Sequence, residues 1–230
     1  MEKIWLDVLS GCPLFEGIEQ SDLQSILGCL EIKTVEYEKN EYLKIAGDKL
    51  QQIGVVLSGV VALSKETSSG NRVIINLLEA GEIFGEMAAY SDQKSWPVTV
   101  SAHTDCTVMF FSTDKIVGCC GNVCYCHQKL ILNMLKIVSN RALLLNKKVE
   151  YHSLKTLRCK IATYLLDEYA KGGKSTFQLT LNRNELAEFV NATRPSLSRE
   201  LGKMRDEGLI DFFSTAIKIK DLEALKKYCE

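Results

Sequence analysis

The chain has 230 residues, of which 46% are hydrophobic and 25% are charged, with 28 basic and 29 acidic side chains. Such a composition is typical of a globular protein with one large core or two smaller ones, and three prolines and fifteen glycines exclude a collagen-like or low-complexity chain. No apolar run approaches the roughly 20 residues that span a bilayer, and the N-terminal sequence lacks the layout of a signal peptide. We therefore expect a cytoplasmic protein without a membrane-spanning segment.

The charges are unevenly distributed along the chain. Residues 153–230 contain 14 Lys and Arg against 11 Asp and Glu, whereas residues 1–152 contain 14 against 18. The basic excess makes the C-terminal third the better candidate for contact with nucleic acid.

Short apolar runs alternate with turns between residues 31 and 112. We interpret Ser58-Gly59, which separates the first two runs, as a hairpin connection. Short strands at regular intervals predict an antiparallel barrel or roll, and a short helix is expected before them at residues 20–30. The predicted strands are 53–57, 60–63, 73–75, 98–100 and 108–111.

A long helix is predicted for residues 128–152, which contain no glycine or proline. Its apolar residues follow a heptad pattern, which is typical of a helix that packs along a partner helix. We predict that this helix pairs with a second copy of the chain; a core helix of the same monomer is the alternative. The seam consists of Ile131, Leu135, Val138, Ala142, Leu145 and Val149.

Residues 181–212 have the pattern of a helix-turn-helix. Asn182 is placed to cap a first helix, and Glu185 completes a capping box. After a short turn, Thr193 is placed to cap a second helix, and Pro195 falls in its first turn. Two apolar runs, 209–213 and 216–219, then predict a two-stranded wing.

The second helix of this motif has two different faces. Leu197, Leu201 and Met204 are spaced to be buried, while the other side carries basic and hydroxyl side chains and one carboxylate, Glu200. Arginine bonds the two acceptors of guanine, and hydroxyls bond phosphates or bases, so the pattern predicts a helix that reads the major groove. A helical hairpin with a solvated charged face is the alternative. The predicted DNA-binding residues are Arg183, Thr193, Arg194, Ser196, Ser198, Arg199 and Lys203.

The whole chain resembles the Crp/Fnr superfamily, the cyclic AMP receptor protein and fumarate–nitrate reductase regulators of transcription. The resemblance rests on Gly-Glu-Ile-Phe-Gly-Glu-Met at 81–87, on Thr-Arg-Pro-Ser-Leu-Ser-Arg at 193–199, and on the order of the parts. It implies an α+β fold: an antiparallel β-roll (a jelly roll like that of cyclic-nucleotide-binding domains) at 1–127, a dimerisation helix at 128–152 and a winged helix-turn-helix at 153–230. It further implies a homodimer on a two-fold symmetric operator in double-stranded DNA, a small-molecule effector, contact with RNA polymerase, and no enzymatic role.

The sequence departs from relatives that bind cyclic AMP. In those relatives a Gly-Glu pair contacts the ribose of cyclic AMP. An Arg-Ser pair that follows it contacts the phosphate, and a Thr-Ser pair contacts the adenine. Here Gly85-Glu86 match the first pair, but Trp96-Pro97 and Leu145-Asn146 replace the others. Without the arginine of the Arg-Ser pair, whose guanidinium forms a forked contact, a phosphate has no cationic partner. We therefore expect another effector, aromatic or weakly acidic. A turn with a solvated carboxylate is the alternative for Gly85-Glu86. The predicted effector-binding residues are Gly85, Glu86, Met87, Ala88, Trp96 and Arg141.

A cluster of thiols and one imidazole lies before the long helix. Thiolates bind zinc or iron–sulfur clusters, so a regulator that senses redox state or metal is the alternative function; incidental buried thiols are the simpler interpretation. The candidates are Cys119, Cys120, Cys124, Cys126 and His127. The three histidines, His103, His127 and His152, fall in different predicted elements, and the sequence has no phosphate loop or nucleophile motif.

Overall fold

The computed structural model describes residues 3–66, 72–118 and 125–229. The chain forms two compact units, Met1–Arg141 and Ala142–Glu230, and each has its own hydrophobic core. No helix among the described residues is long and apolar enough to cross a membrane.

The strands described in the first unit form two antiparallel sheets of four strands each. One sheet has the order β1-β8-β3-β6 and the other the order β2-β7-β4-β5. The antiparallel roll predicted from the sequence is thereby confirmed. The strands are β1 (Lys33–Tyr37), β2 (Tyr42–Lys44), β3 (Gln52–Ser58), β4 (Val61–Glu66), β5 (Arg72–Leu78), β6 (Ile83–Phe84), β7 (Thr99–Ala102) and β8 (Cys106–Ser112).

The expected hairpin at Ser58-Gly59 was wrong. Strand β3 pairs with β8 and β6, while β4 pairs with β7 and β5, so the turn carries the chain from one sheet to the other. Because β3 has a paired strand on each of its two edges, it has no free edge with which β4 could pair. Gly59 has φ +76°, and a Cβ there would lie 2.1 Å from the carbonyl oxygen of Asp105, so this crossing requires glycine.

Helices cover the roll, and the first half of the long helix is bound to it. Asn133 of this helix donates hydrogen bonds to the carbonyl oxygens of Leu14 and Glu16, both at 2.9 Å, and Leu130 and Met134 are buried beside it. The long helix spans more than the predicted 128–152. The helices are α1 (Lys3–Gly11), α2 (Gln20–Cys29), α3 (Glu86–Ala89), α4 (Thr113–Val117) and α5 (Tyr125–Ser153).

In its described residues, the second unit contains the C-terminal part of α5, four further helices and a small sheet of order β10-β11-β9. The predicted wing therefore has a third strand, β9, which sequence reasoning missed because it is only three residues long and pairs with a distant strand. The elements are α6 (Leu157–Gly172), β9 (Thr176–Gln178), α7 (Arg183–Phe189), α8 (Arg194–Asp206), β10 (Ile210–Phe213), β11 (Ala216–Ile219) and α9 (Leu222–Lys226).

Candidate nucleic-acid interface and effector site

Helix α7 begins with the capping box expected from the sequence. The side-chain oxygen of Asn182 accepts hydrogen bonds from the backbone N–H groups of Asn184 and Glu185, at 2.9 and 3.1 Å. In return, Glu185 accepts one from the backbone N–H of Asn182 at 2.7 Å. These bonds satisfy donors that have no partner within the helix and determine where α7 starts.

Helix α8 follows after a tight turn. Asn191 adopts φ +54°, a left-handed conformation that asparagine tolerates better than most residues. Thr193 caps α8 by accepting from the backbone N–H of Ser196 at 3.3 Å, and its own hydroxyl donates to the Ser196 hydroxyl at 2.9 Å. Both hydroxyls therefore hold the start of α8 in place, and Pro195 lies where no helical N–H is needed.

The two faces of α8 differ as the sequence predicts. Leu197, Leu201 and Met204 are buried in the core of the second unit. The carboxylate of Glu200 is bonded to Arg158 on α6 and does not belong to the exposed face. The last turn exposes the acidic Asp206, paired with Arg205, but up to Lys203 the exposed polar side chains are hydrogen-bond donors, which suits a helix that reads a groove. The exposed donors are Arg194, Ser198, Arg199 and Lys203, and Ser196 is half-buried.

Arg183 lies in a cleft of about 440 Å³ between the start of α7 and the wing. Its guanidinium lies over the ring of Phe212, 4.9 Å from the ring centre, and its Nη2 donates to the carbonyl oxygen of Ser214 at 3.3 Å. Burial lowers the pKa of Arg183, and its Nη1 is buried without a hydrogen-bond partner among the described residues. A cationic side chain that lines a cleft beside the wing is suited to a phosphate oxygen.

Gly85, at the start of α3, needs its glycine. It adopts φ +89°, and a Cβ there would lie 2.8 Å from the Trp96 ring. The Trp96 side chain is only 3% exposed, and its ring centre lies 5.9 Å from that of Phe84. The indole therefore fills the space beside Gly85-Glu86.

Glu86 is buried, with 1% of its side chain exposed, and forms an ion pair with Arg141 of α5. Arg141 also donates to the carbonyl oxygen of Ile83 at 3.1 Å, while Oε2 of Glu86 has no partner among the described residues. Burial raises the pKa of Glu86, and the charge of Arg141 opposes that rise. The solvated carboxylate considered for this turn is therefore wrong.

The structure brings only part of the predicted effector set together. Gly85, Glu86, Trp96 and Arg141 adjoin one another, and Ala88 is buried in the same core. Met87, which was also predicted to bind the effector, is 49% exposed and belongs to the surface.

The cysteine cluster falls mostly outside the described residues. Cys119, Cys120 and Cys124 lie there, whereas Cys126 is half-buried and His127 is buried at the start of α5. Within the described ranges, no three His, Cys, Asp or Glu side chains are grouped so as to hold a metal ion. The alternative of a metal or redox sensor thus stays untested.

Sequence reasoning missed the role of Arg158. This arginine binds the carboxylates of Glu200 on α8 and of Glu207 at its C-cap, both more than forty positions further along the chain. A weak signal was present, because Glu200 is the only acidic residue among residues 194–203, whose other polar side chains are hydrogen-bond donors.

Comparison with known proteins identifies two consecutive domains. A model described as a cyclic nucleotide-binding domain matches residues 34–122, and one described as a Crp-like helix-turn-helix domain matches residues 159–228. The anaerobic regulatory protein of Bacillus subtilis is 22% identical over 216 residues, covering 89% of this chain and 86% of that protein. The cyclic AMP receptor protein of Thermus thermophilus is 23% identical over 226 residues, covering 95% and 97%.

A solved structure shares the fold over nearly the whole chain. The catabolite activator protein of Thermus thermophilus matches with a TM-score of 0.54 and 21% identity, covering 94% of this chain and 98% of that one. At this identity the likeness shows the fold, and it agrees with the domain order found by the family models.

Proposed function

The chain belongs to the Crp/Fnr superfamily of DNA-binding transcriptional regulators, and we propose that it acts as a homodimer whose sensor responds to a small molecule other than cyclic AMP. In this proposal residues 1–127 form the sensor, 128–152 the dimerisation helix and 153–230 the DNA reader. RNA polymerase is the proposed protein partner.

The single observation that carries the proposal is the exposed donor face of α8. Arg199 and Lys203 are exposed on a helix whose opposite face is buried and whose start is capped by Thr193. Arginine at such a position pairs with the two acceptors of guanine in the major groove. Arg183 and Arg194, which line the cleft beside the wing, are placed to bind backbone phosphates and to orient the helix.

The seam on α5 supports a dimer. Leu135, Leu145 and Val149 are 58%, 48% and 69% exposed, and Ala142 is exposed between them. Large apolar side chains that recur in a heptad pattern lose contact with water when two such helices pack together. Two paired readers would then meet half-sites about one helical turn apart on DNA.

The residues around Glu86 support an effector other than cyclic AMP. Trp96 and Pro97 stand where a phosphate would need a cation and a hydroxyl, and the Trp96 indole fills the space beside Gly85. The guanidinium of Arg141 adjoins this turn, and it is already bonded to Glu86 and to the Ile83 carbonyl oxygen. A hydrogen-bond donor on the effector would satisfy the unpartnered Oε2 of Glu86.

Regulation follows from a shift between two populations. An effector that binds one arrangement of the dimer better than another favours that arrangement by the difference in affinity. Only the arrangement whose readers match the spacing of the two grooves binds the operator tightly.

The proposal is tested by selecting duplexes from a random-sequence library with the full-length protein. Enrichment of a two-fold symmetric sequence, with salt-dependent binding, is the expected result. Failure to enrich any sequence would contradict it. Native mass spectrometry of protein purified from its host, without oxygen, shows whether a small molecule or a metal ion is retained, and stoichiometric iron or zinc would favour the metal-sensing alternative.

A further inference from the structure

Arg158, at the start of α6, binds the carboxylate of Glu200 on α8 and that of Glu207, the residue that caps the C-terminus of α8. Its Nε donates to Glu200 at 2.5 Å, and its Nη1 and Nη2 donate to the two carboxylate oxygens of Glu207 at 2.7 and 2.8 Å. The guanidinium also lies over the ring of Tyr228, 5.1 Å from the ring centre. Only 20% of the Arg158 side chain is exposed, so this contact is a partly desolvated, forked ion pair.

Glu207 keeps a helical backbone conformation directly after the last residue of α8 and lies seven residues, or about two turns, beyond Glu200, so the two carboxylates lie on the same side of the helix. One guanidinium therefore contacts the helix at two points along its axis, about two turns apart. The apolar contacts on the buried face of α8 are non-directional and tolerate small rotations or shifts. Charge-assisted hydrogen bonds from a forked guanidinium require narrow ranges of distance and angle, so they do not tolerate such movements of the helix.

We propose that Arg158 is a positioning residue for DNA reading, which sets the rotation and height of α8 so that Arg199 meets base edges. This inference rests on the proposed function, since it takes α8 as the reading helix. Base contacts by bidentate side chains depend on the exact register of the helix, whereas phosphate contacts adapt through flexible side chains. Loss of Arg158 should therefore reduce sequence-specific binding more than non-specific binding.

Net charge is a competing explanation for any such loss. Replacing Arg158 also removes a positive charge and leaves Glu200 and Glu207 without their cation, which weakens attraction to DNA of any sequence. A charge-balanced variant separates the two effects. Arg158→Gln combined with Glu207→Gln keeps the net charge of the wild type and still breaks the fork.

The experiment uses full-length protein and two probes, a duplex enriched by the wild type from a random library and a random-sequence duplex of equal length. For Arg158→Gln we expect affinity for the enriched duplex to fall about tenfold, with a smaller change on the random duplex. The charge-balanced variant should show the same loss, and the salt dependence of binding should match the wild type. Lys226→Gln is the control, because Lys226 pairs with Glu223 on its own helix α9, at 2.8 Å.

Three outcomes overturn the inference. Recovery of affinity in the charge-balanced variant would assign the effect to net charge, and equal losses on both duplexes would remove any role in specificity. A salt slope lowered by about 1 would make Arg158 a direct phosphate contact. If circular dichroism shows that Arg158→Gln does not fold, the same binding experiment is done with Glu207→Gln. Unchanged affinity of that variant for the enriched duplex contradicts the inference, whereas a loss on the enriched duplex that exceeds the loss on the random duplex supports it. If the wild type enriches no sequence, the proposed function itself fails.

Discussion

The buried carboxylate of Glu86 accepts a hydrogen bond from the guanidinium of Arg141, 55 residues further along the chain. The same guanidinium donates to the Ile83 carbonyl oxygen, so both of its terminal nitrogens are engaged. The guanidinium of Arg141, a cation that an anionic effector at the Gly85-Glu86 turn would need, is therefore already paired. Binding a phosphate there would require breaking this pair and leaving Glu86 buried without a counter-charge, which is costly.

The first prediction is that cyclic AMP does not bind tightly. Glu86 retains the capacity to accept one hydrogen bond, worth about 0.5–1.5 kcal/mol, whereas burying a phosphate without a cation costs several kcal/mol. Calorimetric titration of the full-length protein measures the affinity. A dissociation constant in the low micromolar range or tighter would contradict the prediction, and loss of that binding in Arg141→Gln would identify Arg141 as the phosphate partner.

The second prediction concerns Arg199, which is exposed on the outer side of α8. Arg199→Ala should weaken binding to the enriched duplex by about 1–3 kcal/mol, with less effect on random DNA. Arg205→Ala is the matched control, because Arg205 lies in the last turn of α8 and base contacts come from the N-terminal part of a recognition helix. Equal loss on both probes would mean that Arg199 contacts phosphate, and no loss would place the reading face elsewhere.

The third prediction tests the seam. Leu145→Lys, combined with Leu135→Lys, should yield a monomer in analytical ultracentrifugation, because like charges then meet where two identical helices pack. These positions are preferred to Val138, because Val138 also packs against the core of the first unit and its replacement would disturb that core. Leu144→Lys is the control: Leu144 is 51% exposed, but one position along a helix turns its side chain about 100° away from the seam. A dimer that survives both seam substitutions would move the interface elsewhere.

The fourth prediction concerns stability and pH in the second unit. The hydroxyl of the buried Tyr151 donates to Asp167 at 2.7 Å, and Lys147 lies 2.7 Å from the same carboxylate. Burial raises the pKa of Asp167, but the hydrogen bonds from Lys147 and Tyr151 outweigh it, and the pKa lies below its usual value. The stabilisation is therefore present above the ordinary pKa of an aspartate and is lost as the pH falls.

Tyr151→Phe should accordingly lower the melting temperature at neutral pH, by an amount that corresponds to about 1 kcal/mol. The difference from the wild type should shrink below about pH 3, where the carboxylate becomes protonated. Circular dichroism melting at both pH values measures this, with Tyr125→Phe as the control, since the Tyr125 ring is 67% exposed. A difference that does not change with pH would show that packing of the hydroxyl, and not the ionised Asp167, is responsible.

Much of the reader was predictable from the sequence because its determinants are local. The Asn182 and Glu185 capping box, the Thr193 cap and the buried stripe of α8 depend on residues three or four positions apart, and such spacings determine which side chains meet on a helix. The seam on α5 was visible for the same reason, and the alternation of short strands and turns sufficed to predict an antiparallel roll.

Only the tertiary structure decided which distant groups meet. A turn at Ser58-Gly59 between two apolar runs is compatible with a hairpin or with a crossing between sheets, and the choice depended on strands β8 and β6 filling both edges of β3. The pairs Glu86–Arg141 and Arg158–Glu207 join residues 55 and 49 positions apart, and no local pattern links them. The packing of whole helices and strands determines which of these charged residues meet. Because removing a charge from water is costly, such a residue is buried only where that packing places an opposite charge beside it.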